Sequence, residues 1–111
     1  MVSLKNWQAS TDELEGMGVH LPKFDVTAVK EAGARQPVWI HVGGGNLYRA
    51  FHAEVAQRLA DAGELDRGVV VIETFSPFTV ENVYKPYGCD SLEVVMNADG
   101  SLDERVLAST A

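Results

Sequence analysis

An α/β fold with a parallel sheet is predicted by two apolar runs that have a helical segment between them. The first run, residues 38–42, is rich in β-branched and aromatic side chains and suits a buried strand. The second run, residues 69–72, supplies another strand of the same kind. Because a strand, a long helical crossover and a second strand form a right-handed unit, we predict a βαβ unit with parallel strands.

The crossover helix is predicted from the period of its apolar residues. They recur at helical spacing over residues 46–62, and Gly63 follows as a stop signal. The segment therefore predicts one amphipathic helix of roughly four turns. Its apolar residues are Leu47, Ala50, Phe51, Val55 and Leu59.

A β-hairpin is predicted nearer the carboxyl end. Apolar residues alternate over residues 92–96, turn residues follow at 97–100, and a second strand includes residues 105–107. The stretch before it, residues 75–88, contains two prolines and no clear period, which favours a functional loop or a packed irregular segment. We therefore assign residues 37–111 to one incomplete α/β domain.

A short helical arm is predicted over residues 1–36. Ser10 and Glu13 have the spacing of a capping box, so a first helix is expected to begin there. Asp25 has the position of a cap for a second helix, and Gly33 is predicted to end it. These helices carry few large apolar residues, so we expect them to pack against something larger.

Composition limits the classes of partner. The chain has 111 residues, 46% hydrophobic and 23% charged, which suits at most one globular domain. Its net charge of −7 would repel nucleic acid and anionic membranes, and no apolar run approaches the roughly 20 residues that span a bilayer. We expect no nucleic acid or membrane partner and a cytoplasmic location. Cys89 is the only cysteine, so it has no intramolecular disulfide partner and no second thiolate for zinc.

The glycine turn between the first strand and the helix is a candidate anion site. Gly43, Gly44 and Gly45 lie directly before Asn46, where the helix begins. Helix-start N–H groups lack intrahelical acceptors and carry partial positive charge, so they stabilise a pyrophosphate that glycines allow to come close. The third glycine of the G-x-G-x-x-G pattern is replaced by Tyr48, so the helix cannot pack as closely on the strand there. An ordinary tight turn is the alternative interpretation.

An acidic residue at the end of the second strand strengthens the nucleotide interpretation. Glu73 follows that strand and could accept hydrogen bonds from an adenosine ribose. A carboxylate that simply faces water is the alternative. The strand, turn, helix and acidic residue together predict an α/β, partial Rossmann-like dinucleotide-binding domain, with a βαβ unit and a β-hairpin preceded by the helical arm.

Arg49, in the first turn of the helix, has two equally weighted interpretations. It could reach back to a phosphate, or it could form an ion pair on the helix surface with Glu54 or Asp61. His41 and His52 have no carboxylate or second histidine at metal-ligand spacing, so we assign them no metal. Nothing around Lys85 indicates a desolvated site or a matched base, so we assign it no catalytic role.

Residues 38–51, VWIHVGGGNLYRAF, resemble the opening of the mannitol dehydrogenase family of polyol and uronate dehydrogenases. Residues 21–25 and 90–109 also look like that family, so the resemblance covers residues 19–109. It implies a Rossmann-like domain followed by a large helical domain, and hydride transfer between a nicotinamide and a secondary alcohol such as mannitol or mannonate. Phe51 stands where many members have a His, which leaves the substrate subtype open.

The resemblance implies a dinucleotide cofactor, NAD, with NADP left open, and a polyol or sugar-acid substrate only in an intact parent enzyme. The family's catalytic Lys, Asn and His belong to a later domain that nothing in this chain matches, so the chain is expected to be an inactive fragment. Exposed strand edges of an incomplete sheet favour pairing with another copy, so homo-oligomers of the fragment are expected. A free-standing α/β nucleotide- or anion-binding module without catalysis is the alternative, and a structural piece that binds nothing is a third. The residues carried over for cofactor binding are Gly43, Gly44, Gly45, Asn46, Arg49 and Glu73.

Overall fold

The predicted βαβ unit is present in the computed structural model, which describes residues 2–111. Strand β2 (Ile40–Val42) pairs in parallel with β3 (Val70–Ile72). The chain between them is helical from residue 46 to residue 61, with a π-helical turn at Tyr48–His52 followed by α3 (Ala53–Asp61). The parallel pairing confirms the α/β class, and the strands are shorter than predicted by one or two residues at their starts.

The predicted hairpin is also present, with one strand that the sequence did not indicate. Strand β4 (Ser91–Met96) pairs antiparallel with β5 (Leu102–Leu107). Strand β1 (Val19–His20) pairs in parallel with the other edge of β5, which gives the order β1-β5-β4. A two-residue strand is too short to show a period, so the sequence pattern could not reveal it.

The segment after β5 connects the two sheets. The Val69 N–H donates to the Ser109 carbonyl at 2.8 Å, and the Ala111 N–H donates to the Val69 carbonyl at 2.8 Å. Thr110 thereby forms a parallel bridge with Val69. Because alternate residues of a strand direct their backbone groups to opposite edges, this segment lies beside β3 on the side away from β2. The resulting order matches the first three strands of a doubly wound sheet.

The amino-terminal region contains a 3₁₀ helix (Leu4–Ala9), α1 (Thr11–Gly16) and α2 (Val26–Arg35). The Asp25 side chain accepts from the Ala28 N–H at 3.1 Å, which confirms that cap. Ser10 stands before α1 as predicted but makes no side-chain capping bond, so the predicted capping box with Glu13 is not formed. The prediction that Gly33 ends α2 is wrong, because the helix continues to Arg35. Gly33 is buried because the backbone of Gly68 approaches so closely that a Cβ at residue 33 would overlap it.

The apolar interior forms two clusters. Each is completed by one of two neighbouring residues of β5, because successive strand residues face opposite ways. Val106 joins the cluster formed with the amino-terminal region, and Leu107 joins the one under the glycine turn. The division of the chain into a helical arm (1–36) and an α/β domain (37–111) stays a prediction. The first cluster contains Trp7, Leu14, Val19, Val26, Val106 and Ala108, and the second contains Tyr48, Ala53, Ala56, Val69, Tyr84 and Leu107.

The crossover helix buries a different face from the one that its large apolar residues suggest. Ala53, Ala56 and Ala60 are buried together with Gln57. The small side chains let the helix lie close to the chain around residues 106–109, to which Gln57 is hydrogen-bonded. The larger apolar residues at every fourth position are partly or largely exposed: Leu47 72%, Phe51 58%, Val55 38% and Leu59 38%.

Residues 77–87 are helical, which corrects the prediction of an irregular stretch over residues 75–88. The segment consists of one α-helical turn, α4 (Pro77–Thr79), a π-helical turn (Val80–Tyr84) and a 3₁₀ turn (Lys85–Tyr87). Pro77 occupies the helix start, where its fixed φ is favourable and its missing N–H costs nothing. No helix within residues 2–111 is long and apolar enough to cross a bilayer.

Candidate functional site

The turn begins where β2 ends. Gly43 has a φ of +107°, a conformation that glycine adopts without the steric cost paid by other residues. Its N–H donates to the Ile72 carbonyl at 2.8 Å, so the end of β2 stays attached to β3 as the chain turns. The sharp turn expected at Gly43 is therefore present.

Gly44, at the centre of the turn, is buried and bonded on both sides of its backbone. Its N–H donates to Oε2 of Glu73 at 3.3 Å. Its carbonyl accepts from the Tyr84 hydroxyl at 2.8 Å and from Nη1 of Arg49 at 2.6 Å. A Cβ at residue 44 would lie 3.2 Å from the Tyr84 ring and hydroxyl and 3.2 Å from a Val71 methyl group. A Cβ here would require the Tyr84 side chain or the Val71 methyl group to move by a few tenths of an ångström, which glycine avoids.

Gly45 and Asn46 form the open side of the turn. Both are exposed, and a Cβ on Gly45 would meet no atom within 4 Å. The Gly45 carbonyl accepts from the Arg49 N–H at 3.2 Å, which begins the helix. The backbone at the helix start thus faces space that a ligand could occupy.

Arg49 lies against the turn rather than along the helix surface. Its Nη2 donates to Oδ1 of Asn46 at 2.6 Å, in addition to the bond from Nη1 to Gly44. Glu54 instead pairs with Arg58 at 3.1 Å and Arg105 at 2.7 Å. The ion-pair alternative for Arg49 is therefore not formed within residues 2–111, and a positive charge lies at the helix start.

Glu73 lies beside the turn, because β2 and β3 are adjacent parallel strands that end at the same edge of the sheet. Its Oε1 accepts from the Phe75 N–H at 2.9 Å, and its Oε2 accepts from Gly44. These backbone donors, Phe75 first, hold the pKa of Glu73 below its usual range, because a carboxylate accepts hydrogen bonds better than a carboxylic acid. The side chain is therefore an anion at neutral pH, available to a hydroxyl donor.

Tyr48, which stands at the third glycine position, is almost fully buried. Its hydroxyl is 2.8 Å from Oγ1 of Thr110, and burial raises the pKa of the phenol to about 12. The π-helical turn begins at this residue, so the helix widens where the large ring lies between helix and sheet. The looser helix packing predicted from Tyr48 agrees with this geometry.

The histidines that we left without chemistry lie close together. The rings of His41 and His52 have centroids 4.4 Å apart, and the Tyr48 ring is 4.9 Å from that of His41. Nδ1 of His52 is buried and has no hydrogen-bond partner among residues 2–111. Lys85 forms an exposed ion pair with Glu81 at 2.7 Å and lies outside the turn.

Comparison with known proteins shows what the chain is similar to. No protein-family model matches the chain. Over 95 residues, 86% of the chain, it is 42% identical to a D-mannonate oxidoreductase of Thermotoga maritima. The chain is homologous to the amino-terminal portion of the mannitol dehydrogenase family. It spans 18% of the length of that relative.

A solved structure has the same fold as this chain. The crystal structure of a D-sorbitol dehydrogenase in substrate-free form superposes with a TM-score of 0.66 at 24% identity. The match covers 84% of this chain and 18% of that chain. It shows the α/β fold of the amino-terminal part of a Rossmann-type dehydrogenase, with its parallel β-α-β elements.

Tyr84 is the residue at the turn that the sequence analysis missed. The prolines at residues 77 and 86 favour an irregular segment, so the sequence does not indicate Tyr84 as a candidate site residue. A usable signal was present, because Ser76 and Pro77 suit a helix start and Val80, Val83 and Tyr84 have helical spacing.

Proposed function

We propose that this chain is the nucleotide-binding part of an NAD-dependent oxidoreductase that interconverts a sugar alcohol or sugar acid and the corresponding ketose or keto acid. The hydrogen bond between Gly44 and Glu73 is the observation that carries the proposal. It joins the candidate phosphate-binding turn to the candidate ribose-binding carboxylate. Both lie at the carboxyl ends of adjacent parallel strands, where open α/β sheets bind their ligands.

The turn fits a pyrophosphate. The open backbone at Gly45 would let phosphate oxygens reach the helix-start N–H groups without a Cβ between them. Arg49, bonded to Asn46 and to the Gly44 carbonyl, adds a fixed positive charge at the same end of the helix. Backbone donors and a guanidinium together suit two linked phosphates.

Glu73 fits an adenosine ribose and favours NAD over NADP. A carboxylate can accept from the 2′- and 3′-hydroxyls of a ribose, whereas it repels a 2′-phosphate. The lowered pKa keeps that charge in place at neutral pH. A bound dinucleotide would supply the nicotinamide that exchanges hydride with a secondary alcohol, and this chain would hold its pyrophosphate and adenosine ribose.

The names of the relatives support the proposed substrate class. One is named for a sugar acid, D-mannonate, and the other for a sugar alcohol, D-sorbitol. We assign no catalytic residue to this chain, so we expect no NADH formation from mannitol or mannonate by the 111-residue protein. Turnover within about tenfold of that of a full-length family enzyme would contradict the proposal that the catalytic residues lie outside this chain.

Cofactor binding can be tested by titrating the ¹⁵N-labelled chain with NAD⁺. We expect weak binding that shifts the amide signals of Gly44, Gly45 and Asn46. Gly45→Val should abolish these shifts, because the valine side chain would fill the open space beside the turn. Gly45 does not have a positive φ, so the substitution does not force valine into the left-handed region. Gly16→Val is the control, since residue 16 also has no atom within 4 Å of its Cβ position. No shift at the turn, or unchanged binding by Gly45→Val, would contradict the proposal.

A further inference from the structure

Tyr84 reaches the middle of the glycine turn from the helical segment after β3. Its side chain is 6% exposed and belongs to the apolar cluster that includes Tyr48 and Leu107. A buried hydroxyl is costly unless it is hydrogen-bonded, and this one donates to the Gly44 carbonyl at 2.8 Å. The contact is therefore a defined attachment between the packed interior and the turn.

The attachment determines the orientation of the peptide group between Gly44 and Gly45. In a planar trans peptide, the carbonyl of one residue and the N–H of the following residue point in opposite directions. With the Gly44 carbonyl held toward Tyr84 and Arg49, the Gly45 N–H points away from them. Space beside Gly45 is open, because a Cβ built there would meet no atom within 4 Å. That N–H is the donor that a phosphate would meet first.

Three consecutive glycines make such a restraint necessary. Glycine loses more backbone freedom on ordering than any other residue, so an unrestrained run would pay that entropy when a ligand binds. The side chain at residue 84 approaches the run closely because Gly44 has no Cβ, which would lie 3.2 Å from the Tyr84 ring. Gly44 and Tyr84 thus depend on each other sterically.

We propose that Tyr84 is a positioning residue for the dinucleotide site, whose hydroxyl holds the Gly44 carbonyl so that the Gly45 N–H is presented to the pyrophosphate. The inference rests on the proposed function, because it assumes that the turn binds phosphates. Tyr84 touches neither the phosphate nor the ribose in this assignment. It acts through the peptide between Gly44 and Gly45.

The test compares Tyr84→Phe with the wild-type chain for two ligands, ADP and adenosine, followed by amide chemical shifts. ADP has the linked phosphates, whereas adenosine has only the base and ribose that Glu73 would contact. Tyr84→Phe should weaken ADP binding by roughly three- to tenfold, the effect of one neutral hydrogen bond, and leave adenosine binding unchanged. Tyr87→Phe is the matched control, because the Tyr87 hydroxyl makes no hydrogen bond within residues 2–111 and the Lys5 ammonium lies over its ring, 5.8 Å from the centroid.

Each outcome decides a different statement. Absence of ADP binding by the wild-type chain contradicts the proposed function itself. Wild-type binding together with unchanged ADP affinity of Tyr84→Phe overturns the positioning role alone, and so does an equal loss of adenosine and ADP, which indicates general structural damage. If Tyr84→Phe does not fold, backbone order parameters of the wild-type turn decide. Values near ~0.85 for the Gly44 and Gly45 amides support the restraint, and values below ~0.6 overturn it.

Discussion

The Glu73 carboxylate accepts a hydrogen bond from the backbone N–H of Gly44 at 3.3 Å, although 29 positions separate the two residues. The parallel register accounts for the contact, because Val42 pairs with Ile72 and the chain leaves both strands at the same edge. A negative charge therefore lies beside the turn to which we assign the phosphates, and our proposal assigns this charge to the ribose.

The first prediction concerns cofactor choice at Glu73. Glu73→Gln removes the charge and keeps one acceptor oxygen, so repulsion of a 2′-phosphate should disappear, while one of the two bonds from Gly44 and Phe75 is lost. We expect the preference for NAD⁺ over NADP⁺, measured as the ratio of dissociation constants, to narrow by about tenfold. Glu64→Gln, an exposed loop carboxylate, is the control. An unchanged ratio would mean that Glu73 does not face the ribose.

A second prediction concerns the carboxyl pair Glu54 and Glu93. Burial raises the pKa of Glu93 first, and the nearby Glu54 raises it further, whereas Arg105 and Arg58 lower it. A carboxyl group whose folded pKa lies above its unfolded value contributes stability at low pH, and that stability is lost as pH rises through the folded value. The pair should therefore destabilise the protein at neutral pH.

Glu93→Gln should raise the free energy of unfolding at pH 7 by up to about 1 kcal/mol, because the pair is partly solvated. The gain should vanish below the ordinary glutamate pKa, where Glu93 is protonated in both states. Thermal unfolding from pH 4 to pH 8 measures this, with Glu64→Gln as the control. A loss of stability at pH 7 would show that Arg105 and Arg58 dominate the environment of Glu93.

The sequence predicted the elements that a period can reveal and missed those set by tertiary contacts. The βαβ unit and the turn followed from apolar runs and glycines at residues 43–45. The buried face of the crossover helix did not, because Leu47 and Phe51 outrank Ala56 in hydrophobicity, while the structure selects small residues for close approach. Local spacing does not report which helix face meets a neighbour.

Gln57 illustrates the same point and gives a third prediction. It is 1% exposed, its Nε2 donates to the Val106 carbonyl at 2.6 Å, and its Oε1 accepts from the Ala108 N–H at 2.7 Å. Gln57→Leu would leave both backbone groups buried without partners and should cost about 2–6 kcal/mol, at 1–3 kcal/mol for each group.

Urea unfolding measures the cost, with Gln8→Leu as the matched control at an exposed position. The control should change stability by less than about 0.5 kcal/mol. Equal effects of the two substitutions would show that the amide does not hold the helix to the segment after β5.

The last prediction concerns the exposed apolar stripe of the crossover helix, formed by Leu47, Phe51, Val55 and Leu59. Contiguous apolar surface of this kind marks interfaces, so the 111-residue chain should associate with itself as its concentration rises. Phe51→Gln removes a large exposed ring and should lower the association constant by roughly tenfold, as expected when a well-packed aromatic contact is lost. Met17→Gln is the control, because Met17 is 64% exposed but lies outside the helix. Sedimentation velocity over a range of concentrations separates the cases: equal association of both variants would place the contact elsewhere, and a wild-type monomer at all concentrations would show that the stripe does not bind a second copy.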